Sequence, residues 1–168
     1  MNDIIEIKKL SKKYDLNKNF YVLKNLNFNF KKGKIYSLVG PSGSGKSTLL
    51  NLLSLIDRPT NGSIKIKNNL IDFNNNNIND EIRSKLIGIV YQDKNLLNDF
   101  TALENIYLSR LVVDSNKEKA LIYSKRLISK VGLSHRVNHY PSQLSGGECQ
   151  KIAICRSIIN SPDIILAD

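Results

Sequence analysis

No apolar run in the sequence is long enough to cross a bilayer. The longest apolar runs are short, such as Ile164-Ile165-Leu166-Ala167, whereas a spanning helix needs about 20 apolar residues. Asp3 and Glu6 stand where the apolar part of a signal peptide would begin, so none is predicted. We therefore expect a cytoplasmic chain that reaches any membrane through a partner.

Cysteine is also scarce, with only Cys149 and Cys155 in the whole chain. Two cysteines are too few for a disulfide scaffold, and we expect reduced thiols on a helix. His135 and His139 are the only histidines, and a metal site built from cysteine and histidine would need more ligands. We expect both histidines at the surface, in a loop.

Acidic residues are outnumbered, with 15 Asp and Glu against 25 Lys and Arg, which gives a net charge of +10. Such a balance is typical of proteins that bind nucleic acid or anionic lipid. The lysines are scattered among asparagine and isoleucine, however, and no groove-reading motif is present. The sequence therefore predicts no nucleic-acid partner and no direct insertion into a membrane.

Two kinds of apolar pattern predict the fold class. Period-two alternation predicts strands with one buried face, whereas short continuous apolar runs suit parallel strands covered on both faces. Together they indicate an α/β fold with an antiparallel β layer and a parallel core. The alternating positions are Ile5 and Ile7; Leu26, Phe28 and Phe30; and Ile64 and Ile66; the continuous runs are 35–39, 86–90 and 164–167.

Helices are predicted in the second half of the chain, after an asparagine-rich segment at 68–79 that we expect to be a surface loop. Thr101 and Glu104 have the spacing of a capping box at the start of one helix. A second helix is expected over 117–131 and ends at Gly132. A third is expected over 146–160, because Pro162 prevents its continuation.

The strongest motif is a glycine-rich loop at 40–48 that matches G-x-x-x-x-G-K-[ST], between a predicted strand and a leucine-rich helix. Its glycines let the backbone bend so that N–H groups point inward and form an anion cradle. Lys46 would contact the β- and γ-phosphates of ATP, and the Ser47 hydroxyl would bind Mg²⁺. The predicted phosphate-binding residues are Gly40, Pro41, Ser42, Gly43, Ser44, Gly45, Lys46, Ser47 and Thr48.

Asp168 directly follows the apolar run 164–167. In α/β proteins, ligands collect at the carboxyl ends of parallel strands. We therefore expect this carboxylate to hold Mg²⁺ through water.

The segment Leu144-Ser145-Gly146-Gly147-Glu148 resembles the signature motif of ABC ATPases, which other P-loop proteins do not carry. The resemblance implies a P-loop NTPase (RecA-like) core with an antiparallel β subdomain and an α-helical signature subdomain. The implied boundaries are 1–91 for the β subdomain with the P-loop core, 92–145 for the helical subdomain, and 146–168 for the signature helix and final strand.

The same resemblance implies roles for further residues. Gln92 is similar to the Q-loop glutamine that contacts magnesium and water. Tyr14 is similar to the aromatic residue that stacks on adenine, although Phe20 and Tyr21 lie nearby in the sequence. In the family, the signature motif faces the γ-phosphate held by the other subunit of a head-to-tail dimer. The signature residues implied are Ser145, Gly146, Gly147 and Glu148.

Four segments, 55–62, 100–105, 131–136 and 141–148, are similar to the lipoprotein-releasing subfamily of ABC ATPases (LolD type). The MacB and FtsE types share much of this pattern. The resemblance implies an ATP-hydrolysing, energy-coupling subunit that pairs with LolC/LolE-like permease subunits. Its implied location is the cytoplasmic face of the bacterial inner membrane.

In the family, a catalytic glutamate directly follows the residue equivalent to Asp168, and a switch histidine comes later. The sequence stops at Asp168, so we expect a partial domain that binds ATP. This expectation does not decide whether the domain itself hydrolyses ATP. The alternatives are a nucleotide-binding fragment without turnover, a MacB- or FtsE-type ATPase, and a soluble ABC ATPase acting on DNA or ribosomes. Only the net charge favours the last.

Overall fold

A computed structural model describes residues 3–14 and 20–168, which form two compact units, Met1–Asp80 and Glu81–Asp168. Both contain strands and helices, as the predicted α/β class requires. The first unit holds β1 (Asp3–Lys12), β2 (Leu23–Lys31), α1 (Lys46–Leu53), β3 (Asn61–Ile66), β4 (Asn69–Leu70) and the start of α2 (Asn76–Leu86). The second holds the rest of α2, β5 (Ile87–Val90), α3 (Ala102–Leu111), α4 (Lys117–Lys130), α5 (Gly146–Ile158) and β6 (Ile164–Ala167).

The first unit is built on the predicted antiparallel sheet, with strand order β2-β1-β3-β4. Ile5 pairs with Ile66 and Ile7 pairs with Ile64, and all four side chains are buried. Directly opposed β-branched residues on one face stabilise an antiparallel pair. The predicted buried face of β1 and β3 is therefore confirmed.

The second unit combines a parallel pair of strands with three helices. β5 and β6 are parallel, with Val90 opposite Ala167, as the continuous apolar runs predicted. Leu86, predicted in the strand, is instead the last residue of α2. The helices α3, α4 and α5 enclose a core of Ala102, Ile106, Ile128, Leu133, Ile152, Cys155 and Ile159.

The predicted helix boundaries hold to within one or two residues. Thr101 and Glu104 form the predicted capping box at the start of α3. α4 ends at Lys130, and Gly132 follows with φ +77, a left-handed conformation that glycine adopts without steric strain. α5 ends at Ile158, four residues before Pro162.

The prediction of a buried strand at 35–39 is wrong. No strand is assigned there, and Ile35 and Val39 are 99% and 87% exposed. Tyr36 instead packs edge-on against Phe28 and Phe30 of β2, and its hydroxyl accepts a 2.9 Å hydrogen bond from the Lys31 N–H. Within the described residues, this run has no ladder partner, and an apolar run cannot be buried without neighbouring strands or helices.

The buried face predicted for β2 is also only partly correct. Leu23 is its buried residue, whereas Phe28 is 48% exposed and Leu26 and Phe30 are half-buried. The aromatic side chains of this strand contact each other and Tyr36 rather than a closed core.

The surface loop predicted at 68–79 contains regular structure. Lys67 and Asn68 both have positive φ, 49° and 67°, and form a two-residue hairpin turn between β3 and β4. Asn75 Oδ1 accepts a 3.2 Å hydrogen bond from the Ile78 N–H at the start of α2. The asparagines therefore act as turn and capping residues rather than as a structureless connector.

The two cysteines are free and lie on α5, as predicted, and both are buried. His135 is exposed in a 3-10 turn, Ser134–Arg136, and His139 is half-buried in the loop that follows. Across 3–14 and 20–168, no helix is both long and apolar enough to cross a membrane.

Candidate functional site

The glycine-rich loop of the first unit leads directly into α1. Gly45, the last residue before the helix, has φ +89. A Cβ at this position would lie 2.9 Å from Leu23 Cδ2 and 3.0 Å from the Val22 carbonyl oxygen. Residue 45 therefore has to be glycine, both for its conformation and because β2 approaches so closely.

The N-terminus of α1 differs from those of α3, α4 and α5. Those three begin with side-chain caps from Thr101, Asn116 and Ser145, whereas α1 has no side-chain cap and no acidic residue in its first turn. The first N–H groups of a helix have no intrahelical acceptor, and this end of the helix dipole favours negative charge. The first turn of α1 is therefore able to bind an anion.

Lys46 places a positive charge in the same loop. Its Nζ donates hydrogen bonds to the carbonyl oxygens of Gly40 and Pro41, at 2.9 and 2.7 Å. The ammonium therefore sits among its own loop residues, where it adds to the positive potential at the start of α1. Ser47 is exposed beside it, and Thr48 is buried.

Tyr14 lies beside this loop. Its hydroxyl is hydrogen-bonded to Thr48 Oγ1 at 3.2 Å. The residue is 62% exposed, so much of its aromatic ring is open to a ligand. Of the competing aromatics, Phe20 is 69% exposed, and Lys13 Nζ lies over the Tyr21 ring, 4.3 Å from its centroid.

In the second unit, the parallel strands bring two predicted residues to one sheet edge. Asp168 follows β6, and its N–H donates a 3.0 Å hydrogen bond to the Val90 carbonyl oxygen at the end of β5. Gln92 comes two residues after Val90, and both Gln92 and Asp168 are exposed. The expected position of Asp168 at the carboxyl end of a parallel strand is therefore confirmed.

The signature segment also lies in the second unit, at the start of α5. Ser145 and Glu148 form a capping box, in which Ser145 Oγ accepts from the Glu148 N–H at 3.3 Å and Glu148 Oε2 accepts from the Ser145 N–H at 2.7 Å. Glu148 Oε1 is also 3.0 Å from Arg136 Nε. Gly146 and Gly147 are exposed in the first turn.

The pKa of Glu148 is lowered because its carboxylate accepts hydrogen bonds from the Ser145 N–H and hydroxyl, with Arg136 adding a smaller effect. The carboxylate is therefore ionised at neutral pH and occupies this helix end itself. The N-terminus of α5 thus has a negative charge from its own first turn, Glu148, whereas the first turn of α1 has no acidic residue.

Two residues that support these positions escaped the sequence analysis. Lys12 is buried, and its Nζ lies 4.9 Å from the centre of the Tyr14 ring. The available signal was that Lys12 and Tyr14 are only two residues apart in the sequence. Arg156 donates to the carbonyl oxygens of Lys94 and Asn95, and no local pattern predicts such a distant contact.

The sequence profile of the family described as "ABC transporter" matches residues 23–168. The chain belongs to the ABC transporter family. The predicted membership and the predicted P-loop cassette fold are confirmed, and with them membership in a class of ATP-hydrolysing enzymes.

Two members of the ABC transporter family are similar to this chain over most of its length. The lipoprotein-releasing system ATP-binding protein LolD of Rickettsia bellii (strain RML369-C) is 44% identical, with 99% of this chain and 74% of that protein covered. The LolD protein of Cytophaga hutchinsonii is 45% identical over 88% of this chain and 67% of its own length. These identities confirm the predicted similarity to the lipoprotein-releasing subfamily.

Solved structures of ABC cassettes have the same fold as this chain. The cassette MJ0796, in a dimeric post-hydrolysis state bound to ADP and Pi, has a TM-score of 0.89 and 38% identity. The match covers 98% of this chain and 73% of that one. CbiO1 of Clostridium perfringens, at 24% identity and a TM-score of 0.84, shares the fold.

Proposed function

We propose that this chain is the ATP-binding, energy-coupling subunit of an ABC transporter that releases lipoproteins from a bacterial inner membrane. The observation that carries the nucleotide-binding part is the uncapped N-terminus of α1 with the Lys46 ammonium beside it. The relatives named as lipoprotein-releasing ATP-binding proteins support the cargo.

ATP would bind first through its phosphates. The backbone N–H groups of the loop 40–48, in which Pro41 has none, would cradle the β- and γ-phosphates, because the first turn of α1 has no acceptor of its own. Lys46 would exchange its two carbonyl contacts for phosphate oxygens, which carry full negative charge and form stronger hydrogen bonds. Tyr14 would stack on the adenine ring.

The residues predicted to bind magnesium carry oxygen side chains of the kind that this ion prefers. Mg²⁺ is commonly held by one or two protein oxygens together with substrate phosphates and waters. Ser47 and Asp168 offer an exposed hydroxyl and carboxylate, and Gln92 an exposed amide oxygen; no cluster of three or more His, Cys, Asp or Glu occurs in the part of the chain described. The bound ion would neutralise charge on the phosphates.

The signature residues would act across a dimer. Ser145, Gly146 and Gly147 would contact the γ-phosphate held by a second subunit. The structures of the cassette MJ0796 are dimeric, which supports such an assembly. Glu148 would help by keeping Ser145 in its capping geometry, since its carboxylate is already bonded to the Ser145 N–H.

A membrane permease of the LolC/LolE type would complete the transporter. We place its docking surface on the helical region after Gln92, and the subunit itself on the cytoplasmic membrane face. Co-expression of this chain with a LolC/LolE-like pair tests this proposal. We expect co-purification in detergent; recovery with a MacB-type permease instead would reassign the cargo.

Calorimetric titration of the chain with Mg-ATP tests nucleotide binding. We expect saturable binding that Lys46→Ala weakens at least tenfold, the loss of about one charge-assisted contact. Lys119→Ala, an exposed lysine on α4, is the control and should bind as the wild type does. Absence of heat with folded wild-type chain at millimolar Mg-ATP would rule the proposal out.

A further inference from the structure

Lys12, the last residue of β1, is unusual among lysines because it is only 9% exposed. Lysine is almost never buried unless its charge is paired. Its Nζ is 2.6 Å from Asp57 Oδ1 and 2.8 Å from the Arg58 carbonyl oxygen. The ammonium is therefore fixed by two acceptors in the segment that follows α1.

The same ammonium lies over the ring of Tyr14, 4.9 Å from its centroid. A cation at this distance from an aromatic face attracts it, and the attraction strengthens where water is excluded. The position of the cation is not set by the ring, since Asp57 and Arg58 hold it. Lys12 therefore determines where the Tyr14 ring can rest.

The ring is held at a second point, through the hydrogen bond between its hydroxyl and Thr48. Thr48 is the last residue of the phosphate loop, and Asp57 follows the helix that this loop begins. Both anchors of the ring therefore belong to the segment that carries the predicted phosphate site. Lys12 lies over one face of the ring, and Tyr14 is 62% exposed, so part of the ring is accessible to a flat ligand.

We propose that Lys12, clamped by Asp57, is a positioning residue that orients the Tyr14 ring for stacking on the base of the nucleotide. The inference rests on the proposed function, because it takes residues 40–48 as the phosphate site. Lys12 touches no part of the nucleotide in this proposal. Its contribution is to remove the rotamer freedom that Tyr14 would otherwise lose when a base binds.

A comparison of two ligands isolates this role. Mg-ATP has a base and a ribose, whereas Mg-tripolyphosphate offers three linked phosphates without either. For each protein, we would measure the ratio of the two Kd values by calorimetry. We expect Lys12→Met to weaken ATP binding about five- to tenfold, which is the affinity equivalent of one immobilised side chain, and to leave tripolyphosphate binding unchanged.

Matched variants complete the design. Lys12→Arg keeps a cation over the ring and should restore the ATP preference to within about twofold. Lys8→Met changes a lysine of the same strand whose side chain is 59% exposed, and should behave as the wild type. Tyr14→Ala sets the lower limit, because it removes the ring itself.

The outcomes separate the inference from the proposed function. If the wild type binds neither ligand, the phosphate site is wrong. If it binds both and Lys12→Met keeps the wild-type ratio, the positioning role is overturned. Should Lys12→Met fold poorly because Asp57 loses its ion pair, the double variant Lys12→Met/Asp57→Asn removes both charges, and the same ratio decides.

Discussion

Arg156 Nη1 donates a 2.6 Å hydrogen bond to the Asn95 carbonyl oxygen, which ties α5 to the segment that follows Gln92. Its Nη2 donates to the Lys94 carbonyl oxygen at 2.8 Å. Lys94 and Asn95 both have positive φ, 57° and 46°, a conformation that costs free energy in residues with side chains. The guanidinium therefore stabilises a backbone bend that would otherwise be unfavourable.

We predict that Arg156→Ala lowers the free energy of unfolding by about 1–3 kcal/mol, since two carbonyl groups lose a charged donor. Hydrogen exchange should become faster in residues 94–97, while the core of α5 keeps its protection. Lys151→Ala, which removes a single exposed donor to the Val131 carbonyl oxygen, is the control. Equal exchange in both variants would contradict the role given to Arg156.

Asn105 is predicted to be essential for the turn before α3. It is 1% exposed; its Oδ1 accepts from the Leu97 N–H at 2.8 Å, and its Nδ2 donates to the carbonyl oxygens of Leu97, Phe100 and Thr101. Asn105→Ala removes all four of these hydrogen bonds, although the Leu97 and Thr101 carbonyl oxygens keep backbone donors, the Phe100 and Asn105 N–H groups. The substitution should destabilise by about 2–4 kcal/mol. Denaturant unfolding measures this, and exposed Asn98→Ala should change stability by less than about 0.5 kcal/mol.

Gly45 and Gly43 form a natural pair for testing the phosphate loop. Both have positive φ, but only at Gly45 would a Cβ meet other atoms. We predict a loss of about 2–4 kcal/mol for Gly45→Ala against about 1–2 kcal/mol for Gly43→Ala, because the first adds a steric clash to the backbone strain. Thermal unfolding compares them, and equal losses would mean that β2 does not restrict the loop.

The capping box of Glu148 should make stability depend on pH. The hydrogen bonds from Ser145, with Arg136, lower the pKa of Glu148 below its ordinary value of 4.5. A group with a lowered folded-state pKa stabilises the fold above the unfolded-state pKa, and this stabilisation is lost as the pH falls through the folded-state value. Wild type should therefore exceed Glu148→Gln in stability at pH 7, with the difference shrinking below pH 4.5.

Urea unfolding of both proteins between pH 7 and pH 3 provides the measurement. Glu118→Gln is a suitable control, since Glu118 is exposed in the first turn of α4. If the difference in stability between wild type and Glu148→Gln stays constant over this range, the pKa of Glu148 is not lowered in the folded state.

Cys155 should be almost inert in the folded protein. Burial raises the pKa of its thiol to about 11, so about a thousandth of it is thiolate at pH 8. In a Cys149→Ala background, the remaining thiol should react with a disulfide reagent only at the rate of unfolding, and at once in denaturant. Fast labelling of native protein would show that the α5 core opens locally.

A local sequence pattern was reliable at the start of α3. Thr101 and Glu104, the predicted capping box, are three residues apart, and such caps depend on residue type and spacing. The run 35–39 failed for the opposite reason: its burial requires neighbouring elements, and its composition cannot supply them. At 68–79, asparagine indicated turns correctly but hid the helix that Asn75 caps.

The sequence alone determined the family, and it predicts the anion-binding chemistry of the glycine-rich loop 40–48 with Lys46. Tertiary structure alone decided which residues distant in the chain contact one another. Lys12 meets Asp57 across 45 positions and Arg156 meets Asn95 across 61. The physical reason is that hydrogen bonds within a turn follow from adjacent residue types, whereas contacts between distant residues exist only after the strands and helices have packed.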